Sequence, residues 1–326
     1  VRNVALVPST SLALNIAADS VPLGEGDNVV TTDLEFMSVV VPFLEKCRAN
    51  SAELKVVRHQ GGRIEPGRVV DAMTDRTRAV VISSVQWTNG FRINLQPISD
   101  ACRRRGVPLI VDAIQQLGAV PLDVRKTPVD FLAAGGHKWL GSPSALGLAY
   151  ASDMFAERYR PALSYVPTSK PPDGTWQTSW TDPAYDPIQT YDLKADASRF
   201  EMGVHHAAQG AAGFGASVNL LLEAGPDAIR DHVLGLAARV AEGVAALGYQ
   251  VVTPLEDSAR SGITAFRAGL TPQEDIAMRA ALKERNIDVS VRFTSGVGGV
   301  RVATHVYNDD GDVDALLDAL KEIRGR

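Results

Sequence analysis

Cysteine is scarce in this chain: its 326 residues include two, Cys47 in FLEKCRAN and Cys102 in SDACRRRG, both inside amphipathic helical patterns. Two scattered thiols make neither a disulfide framework nor a cysteine-rich metal site, and they suit a reducing cytoplasm. Long hydrophobic runs are missing as well. No stretch approaches the roughly 20 apolar residues of a membrane span, and no signal-peptide pattern is present. Basic charge is not in excess: 33 Lys and Arg stand against 38 Asp and Glu, a net charge of −5. That balance removes the general electrostatic ground for binding nucleic acid or an anionic membrane. The paired His205 and His206 lack the carboxylate-plus-histidine spacing of a metal site, and no metal is assigned. The turn after the first strand, PSTSLAL, carries none of the glycines of a G-x-G-x-x-G dinucleotide turn, which excludes a nicotinamide Rossmann site. The expectation is a cytoplasmic protein whose partner is a small molecule.

A 45% apolar fraction with 22% charged residues is ordinary for a globular chain, and the length suffices for one large domain and a smaller one. Strand-like runs (NVALV, DNVVTT, ELKVV, AVVISSV, PLIVD, VDFLAAG, ALGLAYA) alternate with helical patterns. That order predicts an α/β fold with a mostly parallel central sheet flanked by helices, and ligands at the carboxyl ends of its strands. From about residue 226 a long helix leads into short strands (YQVVTP, ITAFRA, IDVSVR, GVRVAT) interleaved with helices near 272–285 and 312–324, a smaller α+β domain. The predicted division is 1–225 and 226–326. Between the halves, LSYVPTSKPPDGTWQTSWTDPAYDPIQTYDLKADASRFE has no clear period and reads as a long loop. Its aromatics Tyr165, Trp176, Trp180 and Tyr185 either anchor it or line a substrate mouth.

The most informative stretch is VDAIQQLGAVPLDVRKTPVDFLAAGGHKWLGSP, residues 111–143. It places Lys138 just past an apolar strand, where desolvation lowers an amine's pKa and equips it to form a Schiff base; the competing reading is an edge lysine that reaches solvent. Asp112 and Gln115, at i and i+3 after the preceding strand, can face one pocket. A carboxylate for the ring nitrogen and a lysine for the aldehyde are what pyridoxal phosphate requires. Upstream, Ser9, Thr10 and Ser11 open a helix, where hydroxyls act either as caps or as phosphate ligands beside free N–H groups.

In these segments the sequence resembles the class V aminotransferase family of pyridoxal-phosphate enzymes, which includes cysteine desulfurases, selenocysteine lyases, isopenicillin-N-epimerase-like proteins and kynureninases. VDAIQQLGAVPLDV matches the family's V-D-x-x-Q-x-x-G-x-x-P-x-D-V segment and GGHKWLG its lysine site, and the likeness runs from residue 1 to about 310. The resemblance implies the pyridoxal-phosphate transferase fold type I, with pyridoxal 5'-phosphate carried on Lys138. It further implies that Asp112 pairs with the ring nitrogen, Gln115 bonds the phenolic oxygen, His137, Thr10 and Ser11 hold the phosphate, and Phe36 stacks on the ring. VRVATHVYNDDGDVD is similar to the family's R-x-S-x-x-x-Y-N-T block, which makes Arg301 the expected clamp on a substrate α-carboxylate.

Departures accompany the likeness. Ser9 replaces a glycine of the phosphate loop, and Trp87 stands where relatives often carry a polar residue near the cofactor, with Asn89 nearby. Val204 replaces a threonine that crosses a dimer interface, so that contact is either lost or taken over by His205 or His206. Ser295, in RFTSGVGG, stands in the loop where desulfurases carry a cysteine, which disfavours a protein-bound persulfide. Relatives also carry several dozen residues ahead of VRNVALVPST, a segment here either trimmed or lost. The implied protein is a homodimeric enzyme acting on an amino acid through Lys138 by aminotransferase-type or β-lyase chemistry. Epimerase or selenocysteine-lyase-like activity, and a catalytically silent scaffold of the same fold, are the alternatives.

Overall fold

β-Branched runs between turn residues form the first seven strands: β1 (Val4–Val7), β2 (Asn28–Thr32), β3 (Glu53–Val57), β4 (Thr77–Ser83), β5 (Leu109–Asp112), β6 (Phe131–Gly135) and β7 (Gly147–Ala151). The computed structural model describes residues 2–161, 166–172, 174–202 and 207–325; Tyr165, Val204, His205 and His206 lie outside the described residues. The seven strands form one sheet in the order β1-β7-β6-β5-β4-β2-β3. β2 through β6 pair in parallel, and β7 runs antiparallel to both its neighbours.

Helices cover both faces, as a parallel sheet requires: α1 (Thr10–Ser20), α2 (Met37–Ala49), α3 (Pro66–Ala72), α4 (Gln96–Arg105) and α5 (Asp153–Arg158). β4 shows the consequence in its sequence. Ala79 and Val81 enter the core layer with α1 and α2, whereas Val80 and Ile82 enter the layer with α3 and α4. A strand buried on both faces reads as a continuous apolar run, which is how AVVI, residues 79–82, appears in the sequence.

The segment expected to be one long loop contains a short helix, α6 (Trp176–Thr181), started by Thr175, whose Oγ1 accepts from the Thr178 N–H at 3.1 Å. The threonine cap was present in the sequence, but the absence of an apolar period hid the helix. Helices α7 (Ala208–Ala224) and α8 (Pro226–Ala246) follow, separated by Gly225.

The remaining strands, β8 (Gln250–Val251), β9 (Ile263–Arg267), β10 (Ser290–Thr294) and β11 (Val297–Ala303), form a four-stranded antiparallel sheet in the order β10-β11-β9-β8. It packs with α8, α9 (Pro272–Lys283) and α10 (Asp310–Arg324) through Leu236, Val240, Phe266, Leu282, Val300 and Leu316. The β10–β11 hairpin projects onto the large sheet. At its tip the Ser295 hydroxyl donates to the Asp33 carbonyl at 2.7 Å, and the Ser295 carbonyl is 3.0 Å from His59 Nε2. The Thr88 hydroxyl donates to Thr294 Oγ1 at 3.1 Å.

Asp275 at the start of α9 is fully buried and pairs with Arg267 Nε at 2.8 Å while accepting the Ala268 N–H at 2.7 Å. Removing one partner of a buried pair strands the other, so Asp275→Ala should cost about 3–5 kcal/mol of stability in urea unfolding. A loss under about 1 kcal/mol would mean that the pair behaves like an exposed one.

Candidate active site

The carboxyl ends of β1, β2, β4, β5 and β6 converge on a cavity of about 210 Å³. Each strand delivers its residues through the turn that ends it. After β1, Ser9 caps α1 by accepting the Leu12 N–H at 3.1 Å, which leaves Thr10 and Ser11 as the first helical residues, with N–H groups that have no intrahelical acceptor. Thr10 Oγ1 also accepts the Gly135 N–H at 2.7 Å, tying this helix start to the end of β6. After β2, Phe36 is the N-cap residue of α2 and lies edge-on to Trp87 with ring centroids 5.1 Å apart. Thr10, Ser11, Phe36, Asp112, Gln115, His137 and Lys138 all line this cavity.

Asp112 ends β5 with its side chain 3% exposed. Its Oδ1 accepts the Ile114 N–H at 2.9 Å, and burial pushes its carboxyl up to about 7, helped by the nearby Glu35 and opposed by Ile114 and Lys138. Lys138 is held below the usual amine range, chiefly by burial and further by Arg301 and Arg292, against the pull of Asp112. Burial and the Lys138 charge likewise lower His137. Burial thus moves both groups toward their neutral forms, the amine downwards and the carboxyl upwards, the direction that proton exchange near neutrality needs.

Arg301, on β11, does not line the cavity itself, but its Nη1 donates to the carbonyl of the cavity-lining Trp87 at 2.6 Å. Its Nε is buried without a hydrogen-bond partner, and so is the indole N–H of Trp87. Burial holds the Arg301 guanidinium down to about 10. Asn89 takes no part in the cavity: its Nδ2 donates to the Gly62 carbonyl at 2.8 Å and its Oδ1 accepts the Phe91 N–H at 3.1 Å. It shapes a turn.

Sequence reasoning passed over Ser38 and Glu35. Ser38, in the first turn of α2, lines the cavity and shares a 2.7 Å hydrogen bond with the Ser11 hydroxyl. Glu35 is buried behind Phe36 and accepts from Thr32 Oγ1 at 2.7 Å, the Ser83 N–H at 2.9 Å and Gln86 Nε2 at 3.1 Å, thereby joining the ends of β2 and β4. Its one signal was a carboxylate at the end of an apolar strand.

Two helix starts present hydroxyls to this cavity, which the Lys138 amine also lines, and among the described residues no basic side chain is bonded to the buried Asp112 carboxylate. The profile of the aminotransferase class-V family matches residues 2–316. The chain belongs to the aminotransferase class-V family. Isopenicillin N epimerase of Amycolatopsis lactamdurans is 29% identical over 99% of this chain and 81% of its own length. A probable cysteine desulfurase of Halalkalibacterium halodurans is 26% identical over 97% of this chain and 76% of its own. Among solved structures, the apo cysteine desulfurase from Thermococcus onnurineus NA1 superposes with a TM-score of 0.86 at 23% identity, covering 100% of this chain and 80% of that one. A C-DES mutant with glycine covalently linked to its pyridoxal-phosphate cofactor superposes with a TM-score of 0.85 at 18% identity, covering 98% and 81%. The fold is the pyridoxal-phosphate transferase fold type I. This class V protein is a pyridoxal 5'-phosphate-dependent enzyme of amino-acid chemistry.

The cavity fits that cofactor. Open N–H and hydroxyl donors at the starts of α1 and α2 suit a phosphate, and Asp112 suits a protonated ring nitrogen. Without the cofactor, ionising Asp112 works against folding. Its folded pKa lies above the unfolded value, so its contribution is full in acid and is lost as pH rises towards and through about 7. Asp112→Asn should therefore melt higher than the wild type at pH 8 in cofactor-free protein and converge with it near pH 4. Saturation with pyridoxal phosphate should reverse the order at pH 8. A cofactor-free variant that melts lower than the wild type at pH 8 would contradict this reading of the carboxylate.

Proposed function

We propose that Lys138 Nζ is the covalent attachment point of pyridoxal phosphate and the base at the substrate Cα, and that Arg301 binds the substrate's α-carboxylate. The observation that carries this reading is Arg301, a buried guanidinium whose Nε has no partner, close enough to depress the Lys138 pKa. A planar fork with spare N–H groups takes a carboxylate with two parallel bonds. When bound, the cofactor supplies an electron sink for charge at Cα. Lys138, its pKa lowered by burial, accepts and returns the Cα proton. Asp112 holds the proton on the ring nitrogen, and Gln115 donates to the phenolic oxygen. Thr10, Ser11 and His137 hold the phosphate, while Phe36 covers one face of the ring and excludes water.

The reaction class this supports is aminotransferase-type or β-lyase chemistry on an amino acid. The Ser295 hydroxyl is engaged with Asp33, so a protein-bound persulfide has no acceptor there. Among the described residues no helix is long and apolar enough to cross a membrane. The two free, buried cysteines support a cytoplasmic setting. Gly225, between α7 and α8, supports a division into a cofactor-holding part, 1–225, and a smaller part, 226–326.

Borohydride reduction of the yellow holoenzyme should fix the label on Lys138 in peptide mass spectra. Arg301→Ala should weaken amino-acid binding by about 1.5–3 kcal/mol, the range for a hydrogen bond to a charged group, and leave the cofactor band in place. A label on another lysine, or amines without a carboxylate binding as well as amino acids, would overturn these assignments.

A homodimer is the assembly we propose. α7 is rich in apolar residues, yet Phe214 is its one buried side chain, with Leu220 66% and Leu222 59% exposed. Beside it an apolar groove of about 270 Å³ is lined by Leu117, Val120, Leu140, Val218, Leu221 and Ile229. Two-fold pairing of such a face is the commonest way to cover it. Light scattering should give twice the chain mass at micromolar concentration, and Leu220→Glu with Leu222→Glu should give the monomer. A wild-type monomer would refute the dimer.

A further inference from the structure

Trp139 follows the lysine in GGHKWLG, and nothing said so far gives it a task. It is 4% exposed, and its indole N–H donates to Gln115 Oε1 at 3.0 Å. An indole nitrogen can only donate, so the Gln115 atom it meets must be the amide oxygen, which settles the orientation of that amide. The Gln115 amide nitrogen is thereby turned elsewhere and bonds to no other described residue, and Gln115 lines the cavity. Rotating the amide by half a turn would set two donors against each other.

The indole is itself held on several sides. His305 stacks on it with ring centroids 5.3 Å apart and planes 6° apart, and Tyr307 stacks on the far side of His305 at 4.4 Å. The His305 tautomer follows from its neighbours: Nδ1 accepts the Val306 N–H at 2.9 Å, so the proton sits on Nε2, which faces the Lys138 carbonyl at 3.3 Å. Burial holds His305 below its usual pKa and keeps it neutral. A Cβ on Gly262 would meet the indole at 2.6 Å, and one on Gly118, at φ +95°, would meet the Trp139 carbonyl at 2.3 Å. The ring has no room to tilt.

We infer that Trp139 is a positioning residue: its N–H locks the Gln115 amide so that the amide nitrogen is presented as a donor to the ring oxygen of the cofactor, and His305 holds the indole in that register. This rests on reading the Lys138 cavity as the cofactor site with Gln115 at the phenolic oxygen. A donor there weakens that oxygen's hold on the proton it shares with the Lys138 nitrogen. Losing the donor raises the pH midpoint of the visible absorption band.

The test is a double-mutant cycle on that midpoint, with melting temperatures of the cofactor-free proteins alongside. Gln115→Leu should raise the midpoint by about one pH unit, the scale of one hydrogen bond to a charged group. Trp139→Phe should shift it the same way, and should add nothing in the Gln115→Leu background. Should Trp139→Phe not fold, benzothienylalanine at 139 keeps the ring shape and removes only the N–H. His305→Phe, which preserves the stack, should move the midpoint less than His305→Ala. Equal shifts from the Trp139 variant in both backgrounds, or a lower melting temperature with an unmoved midpoint, would reduce Trp139 to a packing residue. An unmoved midpoint in Gln115→Leu would instead refute the placement of Gln115 at the phenolic oxygen, and this inference with it.

Discussion

Burying an amine, a carboxylate and a guanidinium around one small cavity is costly, and the rest of the structure is arranged to bear that cost. Lys138, Asp112 and Arg301 all carry shifted pKa values whose largest cause is burial. Their mutual attraction is incomplete: Asp112 offsets Lys138, whereas Arg301 opposes it. Such a set persists only if the surrounding layers hold it rigidly and prevent collapse. The doubly covered parallel sheet supplies that rigidity, with the apolar strands β4, β5 and β6 fixed beneath the site. The site therefore sits at strand ends, where the backbone is held by ladder hydrogen bonds on one side and opens into turns on the other.

The sheet and the lysine end of the site were legible because a charged residue at the end of an apolar run is a local signal. Asp112 and Lys138 stand in such runs, and the hydroxyls at Thr10 and Ser11 mark a helix start. Arg301 was legible as a motif only. Its hydrogen bond to the Trp87 carbonyl spans 214 residues of sequence, and no local pattern encodes which backbone oxygen a distant side chain will meet. Asn89 shows the opposite failure. A polar residue in the right turn is consumed by the Gly62 carbonyl and the Phe91 N–H, because satisfying a tight turn takes precedence over reaching a pocket. Ser38 and Glu35 stayed hidden for the same reason as Arg301, since their partners lie on other strands and helices.

How Arg301 comes to bond the carbonyl of the cavity-lining Trp87 is a question of hairpin geometry. In β10–β11, Arg301 pairs with Ser290 and Gly299 with Arg292, and a Cβ on Gly298 would meet the Arg292 carbonyl at 1.9 Å. Glycine at 298 and 299, both at positive φ, lets the backbones approach where any side chain would part them. The tip then docks through Ser295 on Asp33 and His59, and Thr88 meets Thr294. These contacts seat the tip of the hairpin that carries Arg301 against the turns that follow β2, β3 and β4. Seen this way, the serine at 295 is part of the docking surface and not a weakened nucleophile.

The lining also limits which groups at the cavity can exchange protons. Among the described residues that line the cavity, the titratable side chains are Asp112, His137 and Lys138. His137 is adjacent to Lys138 in the chain, and its pKa is lowered by burial and by the Lys138 charge. Asp112 is engaged by the Ile114 N–H at the end of β5. Lys138 and His137 are the two nitrogen bases of the described lining, and burial shifts both toward the unprotonated form. Phe36 and Trp87 bring no titratable group to the described lining, so acid–base work there rests on Asp112, His137 and Lys138.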